Sequence, residues 1–351
     1  MKLFHGWETD DMRDMNKILG CLVGGAAGDA LGYAVEFKRE GWIFGRYGSV
    51  GITKYELTNG KALISDDTQM TLFTAEGILL AEDPMDYRDY INGMYDAYQE
   101  WLRTQKFSRK VRKHKLWLTD IKELNDRRAP GITCLNALES GKLGSIHEPI
   151  NNRKGCGGVM RVAPIGLFYS PDDLKWQEID TRGAQAAALT HGHPLGYISA
   201  AGLVHIVNLA MYRPEMSLLQ IMEDMIEKVP VLFLEDDPED CAVFKSLMRK
   251  AVDMATDKDI VDDLEVIHQL GEGWIGEEAL AIAVYCALKH ENDFDAAMIS
   301  VVNHNGDSDS TGAIAGNILG AYHGIDAIPD KYTENLELID VIRKVAENLA
   351  K

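Results

Sequence analysis

Two rows of glycines near opposite ends of the chain constrain this sequence more than any other feature. The rows are Gly20, Gly24, Gly28 and Gly32, and Gly312, Gly316, Gly320 and Gly324. Residues four apart lie on one face of an α-helix, so each row forms a nearly straight ridge without side chains. Glycine costs about 1 kcal/mol in a helix relative to alanine, so eight of them need a reason. We expect close helix–helix packing, which also lets backbones approach one another around a buried site.

Helical periodicity dominates the rest of the chain, and strand signals are sparse. Apolar residues recur at helical spacing in the segments 67–81, 87–103, 181–189, 198–211, 276–290 and 310–324. No Gly/Ser-rich linker divides the 351 residues. The sequence therefore predicts an all-α fold, with many helices in a single domain.

Charge and composition exclude several function classes. The formal net charge is −19, from 55 acidic and 36 basic residues. Nucleic acid and anionic membranes would be repelled by such a surface. The most apolar stretch, 18–37, contains Asp29 and Glu36, and carboxylates are costly in lipid. We therefore expect neither nucleic acid nor a membrane as a partner.

The cysteines indicate a reducing compartment. There are five, an odd number without a CxxC pair, which argues against a disulfide framework or a thiolate zinc site. The first fifteen residues contain no apolar segment typical of a secretory signal. A cytoplasmic location is therefore expected.

Two oxygen-rich clusters carry the strongest chemical signal. The first is SDDT at 65–68 and the second is DSDST at 307–311, and each stands before an apolar helical segment. One such residue suffices to cap a helix, and capping is the alternative explanation for either cluster. Each cluster, however, offers several oxygens, and adjacent carboxylates repel unless a cation lies between them. Together they can hold two Mg²⁺ ions, which would place and polarise a water for hydrolysis.

A glycine-rich loop, a histidine pair and two tryptophans are weaker candidates. The loop KGCGGVMR at 154–161 would let backbone N–H groups approach an anion, although a plain tight turn is the alternative. His191 and His193 could suggest a metal site, but no third soft metal ligand is near them in the sequence. His191 is therefore expected to contact a sugar or phosphate, or to be a buried polar residue. Packing in the core is the favoured interpretation for Trp101 and Trp274.

Five motifs occur in an order that resembles the ADP-ribosylglycohydrolases. They are GCLVGGAAGDALGYAVEF, SDDTQMTL, GCGGVMRVAPIGL, LTHGHPLGYISAAG and NHNGDSDSTGAIAGNILGA. The resemblance implies an all-α, single-domain orthogonal helical bundle over 17–351, with a binuclear Mg²⁺ or Mn²⁺ site. Residues 1–16 would form an N-terminal extension.

The resemblance also implies roles for the positions that match its motifs. The implied metal ligands are Ser65, Asp66, Asp67, Asp307, Asp309 and Ser310. The carboxylates that would assist a water, in an order left open, are Asp67, Asp309 and Glu36. The implied contacts to ADP-ribose are Gly155, Cys156, Gly157, Gly158, Met160 and His191. Many relatives have Asn where this chain has Cys156.

The implied activity is hydrolysis of the bond between ribose C1″ and a modified protein side chain. A metal-positioned water would attack a carbon with oxocarbenium character. The elements GDSDST and EWLRTQ resemble those of arginine-type members, which favours ADP-ribosyl-arginine as the substrate. O-linked ADP-ribose, on serine or as O-acetyl-ADP-ribose, is the alternative substrate, and a non-catalytic binding or structural protein is the alternative class.

The N-terminal extension raises one more hypothesis. Residues 1–15 are polar and aromatic and stand ahead of the first motif. Some bacterial members act as immunity proteins against ADP-ribosylating toxins, and this segment would then insert into the partner transferase. A frayed terminus is the alternative interpretation.

Overall fold

Helices make up most of the architecture, as the apolar periodicity predicts. The computed structural model describes residues 13–106 and 114–351, and within them fifteen α-helices form. They are α1 (Met15–Tyr33), α2 (Glu40–Tyr47), α3 (Asp66–Leu80), α4 (Tyr87–Thr104), α5 (Ile132–Glu139), α6 (Ala163–Phe168), α7 (Trp176–Ala188), α8 (Pro194–Tyr212), α9 (Leu218–Lys228), α10 (Pro238–Thr256), α11 (Asp263–Leu270), α12 (Gly276–Lys289), α13 (Phe294–Val302), α14 (Ser308–His323) and α15 (Ile339–Leu349).

One short hairpin interrupts the helices between α2 and α3. Its strands, β1 (Leu57–Thr58) and β2 (Lys61–Ala62), pair in antiparallel fashion. Asn59 and Gly60 form the turn with φ values of 52° and 80°, which is the left-handed conformation that two-residue hairpin turns favour. The pairing is too small to change the all-α class.

The two predicted glycine ridges lie face to face, on α1 and α14. Gly20 opposes Gly320, Gly24 opposes Gly316 and Gly28 opposes Gly312, so the helices run antiparallel. An ideal Cβ at Gly28 would stand 2.0 Å from the carbonyl oxygen of Gly312. The prediction of close helix–helix packing is therefore confirmed, and only glycine permits this separation at the ridge.

This packing places three chain segments together at one end of the pair. At Gly32, near the end of α1, an ideal Cβ would lie 2.2 Å from the carbonyl oxygen of Ser308, where α14 begins. Asp29 of α1 accepts hydrogen bonds from the backbone N–H groups of Ser65 and Thr68, at the start of α3. The carboxyl end of α1 thus meets the amino ends of α3 and α14.

The core contains one helix with a membrane-like composition. Among the described residues, only α8 is long and apolar enough to cross a bilayer, and 89% of its apolar window is buried inside the fold. Such burial is typical of a central core helix. The apolar stretch 18–37 forms most of α1 and the turn after it, and α1 is buried from Gly20 through Gly32.

A buried charge network joins α7, α8 and α9. The ring of His205 contacts Asp180 through Nδ1 at 2.7 Å and Asp224 through Nε2 at 2.9 Å. Burial alone would lower the pKa of His205, but the two carboxylates outweigh it and raise the pKa to about 9. His205 is therefore protonated at neutral pH and holds the two carboxylates in place.

This network predicts a pH-dependent contribution to stability. A raised folded pKa stabilises the protein fully below about pH 6.5, where unfolded histidine is also protonated. The contribution is lost as the pH rises through about 9. We expect His205→Gln to lower the free energy of unfolding by on the order of 2 kcal/mol at low pH, and by less above the folded pKa. Urea unfolding of the wild-type protein and the variant, at one pH below about 6.5 and one above about 9, measures the difference in the free energy of unfolding. A difference that does not change with pH would contradict the prediction.

Candidate functional site

The two oxygen-rich clusters meet at a single cavity of about 480 Å³. Residues at the starts of α3 and α14 line it. The predicted residues that line it are Glu36, Asp66, Asp67, Gly155, Cys156, Gly157, Met160, His191, Asp307, Asp309 and Ser310. Ser65 and Gly158 are buried beside the cavity and do not line it. The fold thus brings together motifs that lie more than 200 residues apart.

Asp29 holds the first cluster in place, although the predicted site set does not include it. Both of its carboxylate oxygens accept from the Ser65 N–H, at 2.9 and 3.0 Å. One also accepts from the N–H of Thr68 at 3.1 Å and from its hydroxyl. Ser65 in turn caps α3, because its Oγ accepts from the Asp67 N–H at 3.1 Å. Asp29 therefore fixes the turn that presents Asp66 and Asp67.

The second cluster is also built on a helix start. Asp307 caps α14, and its Oδ1 accepts from the Ser310 N–H at 3.3 Å. Asp309 accepts from the same N–H group at 3.0 Å. The amino end of a helix carries partial positive charge, which stabilises nearby carboxylates. Capping, the alternative explanation for each cluster, therefore occurs, but it uses only part of the oxygens available.

Two of the three buried carboxylate oxygens that lack a hydrogen-bond partner in the described structure belong to residues that line the cavity. They are Oε2 of Glu36 and Oδ2 of Asp67, from side chains that are only 8% and 3% exposed. Burying an unpaired charge is costly. Both residues line the cavity, so a group bound there could satisfy both oxygens.

Among the described residues that line the cavity, there is no Lys or Arg beside the carboxylates. Burial, followed by repulsion from Asp309, Asp307 and Asp66, raises the pKa of Glu36 far above its ordinary range. Burial and the neighbouring aspartates likewise raise the pKa of Asp67. Like charges in a buried site favour protonation, and a cation between them reverses this effect.

The glycine-rich loop forms the wall beside α14. The Cys156 N–H donates to the Trp274 carbonyl at 3.2 Å, and the Gly276 N–H donates to the Lys154 carbonyl at 2.8 Å. The Cys156 thiol donates to Oδ2 of Asp307 at 2.8 Å. Burial, Asp307 and Asp67 raise the pKa of this thiol. The loop is therefore tied both to the segment before α12 and to the second cluster.

His191 is a neutral side chain in this wall. Burial and the positive charge of Arg161 lower the pKa of His191 to about 3. Its Nδ1 lies 2.8 Å from the Thr190 hydroxyl. The buried Arg161 donates to the same hydroxyl at 2.7 Å and stacks on the Tyr98 ring. His191 can thus form hydrogen bonds with a ligand without carrying charge.

Two aromatic residues line the cavity; the sequence interpretation did not name Phe37, and it favoured core packing over a site role for Trp274. Trp274, assigned to the core, instead lines the cavity with Phe37. The two rings stack, with their centroids 5.6 Å apart and their planes at an angle of 18°. Phe37 is 66% exposed and has a φ of 61°, a strained conformation for this residue that is common at functional sites. Trp101 is buried as expected and donates to Gln69.

A further wall segment was also missed. It runs from Ala129 through Cys134, at the start of α5. The Gly131 N–H donates to Oδ2 of Asp66 at 3.0 Å, which ties this wall to the first cluster. The sequence AP before Gly131 indicates a turn, but nothing in it points to Asp66.

Comparisons with known proteins agree with these motifs. The ADP-ribosylglycohydrolase family profile matches residues 9–351. ADP-ribosylhydrolase ARH3 of Mus musculus is 27% identical, over 96% of this chain and 92% of that protein. The ADP-ribosyl-[dinitrogen reductase] glycohydrolase of Rhodospirillum rubrum is 25% identical, over 92% of this chain and 91% of that protein.

A solved structure shares the fold. It is described as an ADP-ribosylglycohydrolase-related protein complex, and it superposes with a TM-score of 0.58 at 22% identity, over 96% of this chain and 97% of that one. With a family match across nearly the whole chain and ordered motifs that meet at one cavity, this chain belongs to the ADP-ribosylglycohydrolase family.

Proposed function

We propose that this chain removes mono-ADP-ribose from arginine side chains of modified proteins, with two Mg²⁺ or Mn²⁺ ions bound at the cavity. Family membership supports a hydrolase that acts on ADP-ribose-modified substrates. The observation that carries the proposal is the pair of unpartnered, buried carboxylate oxygens of Glu36 and Asp67 at one cavity. A site with these groups suits cation-assisted attack by water on a glycosidic bond.

The donor atoms around the cavity fit hard divalent cations. The proposed ligands supply carboxylate and hydroxyl oxygens: Ser65, Asp66, Asp67, Asp307, Asp309 and Ser310. The described residues contain no group of three or more His, Cys, Asp or Glu side chains already arranged to hold a metal. Mg²⁺, however, usually takes one or two carboxylates and keeps several waters. When bound, the two cations would polarise a water and fix the ribose hydroxyls.

Glu36 is the proposed base. Of the three candidates, Glu36, Asp67 and Asp309, it is the one outside the proposed ligand set, and its Oε2 has no partner. It would accept a proton from the water that attacks ribose C1″. The neutral His191 would donate or accept a hydrogen bond to the sugar or phosphate. The sequence and the structure together support this division of roles.

A pair of matched peptides tests the linkage. One carries ADP-ribose on arginine, and the other carries it on serine at the same position. We expect kcat/KM to favour the arginine peptide by at least about tenfold, or ~1.4 kcal/mol. The reason is that a guanidinium is attracted by an acidic cavity and stacks on aromatic rings such as those of Phe37 and Trp274. Phe37→Leu removes one of these rings and should therefore reduce the ratio of kcat/KM for the arginine peptide to kcat/KM for the serine peptide.

The possible results separate the remaining alternatives. A preference for the serine peptide would be consistent with the proposed catalytic site but would contradict the proposed arginine linkage. No release from either peptide by a protein that binds Mg²⁺ would favour the non-catalytic alternative.

The immunity hypothesis remains a prediction. The segment 1–15, on which insertion into a transferase toxin would depend, lies mostly outside the described residues, which begin at Arg13. The cytoplasmic location is likewise a proposal. It is supported by the five cysteines, which are all free.

A further inference from the structure

Helix α2 lies at the rim of the cavity and packs little against the rest of the fold. Ile43 is the one buried residue among its eight. The helix follows closely after Phe37, which lines the cavity. The backbone N–H of Glu40 donates to Oδ1 of Asn305 at 2.9 Å, just ahead of the second oxygen-rich cluster. The start of α2 is therefore anchored beside the carboxylates, while four of its eight residues are exposed.

Two basic residues at this rim form no ion pair with any of the described residues. Lys38 and Arg39 are both exposed and immediately precede α2. The neighbouring carboxylate of Glu40 instead contacts the ring of His268 at 2.6 Å. In a chain whose formal net charge is −19, this leaves a local patch of positive charge next to the cavity. Such a patch attracts a partner of the opposite charge.

Trp42 gives the patch an apolar floor. Its side chain is 43% exposed. Nζ of Lys38 lies 5.2 Å from the centroid of the Trp42 ring, and the guanidinium carbon of Arg46 lies 5.4 Å from it, both within the range of cation–π attraction. Arg46 is also paired with Glu56, so Lys38 and Arg39 carry the charge that is left over. A rigid aromatic ring flanked by cations is typical of surfaces that bind proteins.

The proposed chemistry indicates which molecule passes over this surface. Glu36 would activate the water that attacks ribose C1″, so the bond to the modified side chain lies next to Glu36. The following residue, Phe37, is 66% exposed and lies where the cavity opens. His191, the proposed contact to ADP-ribose, is only 2% exposed and lies at the buried end. The polypeptide that carries the modified arginine therefore leaves the cavity past Phe37 and reaches the start of α2.

We propose that Lys38 and Arg39, beside the ring of Trp42, bind an acidic segment that flanks the modified residue of the substrate protein. This inference rests on the proposed function and extends it, because it assigns a sequence preference to the substrate. Exposed ion pairs each contribute modestly to affinity, so two of them correspond to a preference of about threefold to tenfold. The preference arises outside the cavity, where neither cations nor the scissile bond are involved.

Fluorescence anisotropy with the full-length protein in Mg²⁺ tests the proposal. The probes are matched peptides that carry ADP-ribose on arginine through a non-hydrolysable C-glycosidic linkage, flanked either by aspartates or by asparagines. We expect the aspartate peptide to bind about fivefold more tightly at low ionic strength, and the difference to shrink at high salt. Lys38→Gln combined with Arg39→Gln should abolish the preference, because glutamine keeps part of each side chain but removes the charge. Circular dichroism checks that the double variant folds.

Arg343→Gln combined with Lys344→Gln is the matched control. These neighbours are also an exposed basic pair, on α15, and they do not line the cavity, so this variant should keep the preference. Equal binding of the two peptides to the wild-type protein, or a preference that survives in the Lys38 and Arg39 double variant, would overturn the proposal. A dimer that the same double variant dissociates, without any peptide preference, would also overturn it, because the patch would then bind a second copy of this acidic chain.

Release of ADP-ribose from hydrolysable versions of the same peptides separates this inference from the proposed function. Cleavage of both peptides with equal binding would contradict only the role of the basic patch. A binding preference that the double variant loses, in a protein that cleaves neither peptide, would support the patch and contradict only the proposed function.

Discussion

Gly28→Ala should destabilise this protein by at least about 3 kcal/mol, although alanine is the better helix former. The added Cβ would stand 2.0 Å from the carbonyl oxygen and 2.3 Å from the carbonyl carbon of Gly312. Both are backbone atoms of α14, which cannot rotate away as a side chain can. The two helices must therefore separate, and the packing of the neighbouring glycine pairs is lost as well. Urea unfolding followed by circular dichroism measures the change in free energy.

Gly45→Ala is the control for this substitution. Gly45 lies on the exposed side of α2, and an added Cβ would have no atom within 4 Å. It should stabilise the protein by about 0.5–1 kcal/mol, the ordinary gain from replacing a helical glycine. Equal effects of the two substitutions would show that α1 and α14 do not pack through their glycine ridges.

Asp67→Asn and Asp309→Asn should each reduce ADP-ribose release by at least about a hundredfold. Asparagine keeps the shape of the side chain but removes the charge that attracts a divalent cation. Oδ2 of Asp67 has no partner in the described structure, so folding should be little affected by this change. Initial rates at saturating Mg²⁺, together with urea unfolding of each variant, separate the loss of chemistry from the loss of structure.

Asp340→Asn supplies the matched control. Asp340 is also an aspartate in the first turn of a helix, α15, but it is exposed and away from the cavity. It should retain wild-type activity. Near-normal rates in both Asp67→Asn and Asp309→Asn would rule out the two clusters as the catalytic centre.

Much of the fold follows from local pattern. The segments 87–103, 198–211 and 276–290 correspond to α4, α8 and α12 within a few residues. The start of α7 at Trp176 was missed by five residues, because Trp176 through Asp180 carry few apolar side chains in helical register. The glycine ridges also indicated that helices pack closely against each other. Sequence spacing alone, however, could not say that the two rows face each other.

The candidate site was predictable where a residue belongs to a motif. Asp66, Asp67, Asp307 and Asp309 do, and they meet at the cavity. Asp29 was overlooked because a lone carboxylate in an apolar helix gives no hint of the N–H groups it binds from α3. Phe37 and Trp274 lie more than 200 residues apart, and only the tertiary fold stacks them.

The most direct measurement is release of ADP-ribose from an ADP-ribosyl-arginine protein, with Mg²⁺ and with EDTA. The proposed function predicts release with Mg²⁺, none after chelation, and recovery when Mg²⁺ or Mn²⁺ is added back. Release that continues at the same rate in EDTA would contradict a cation-dependent site at the two carboxylate clusters.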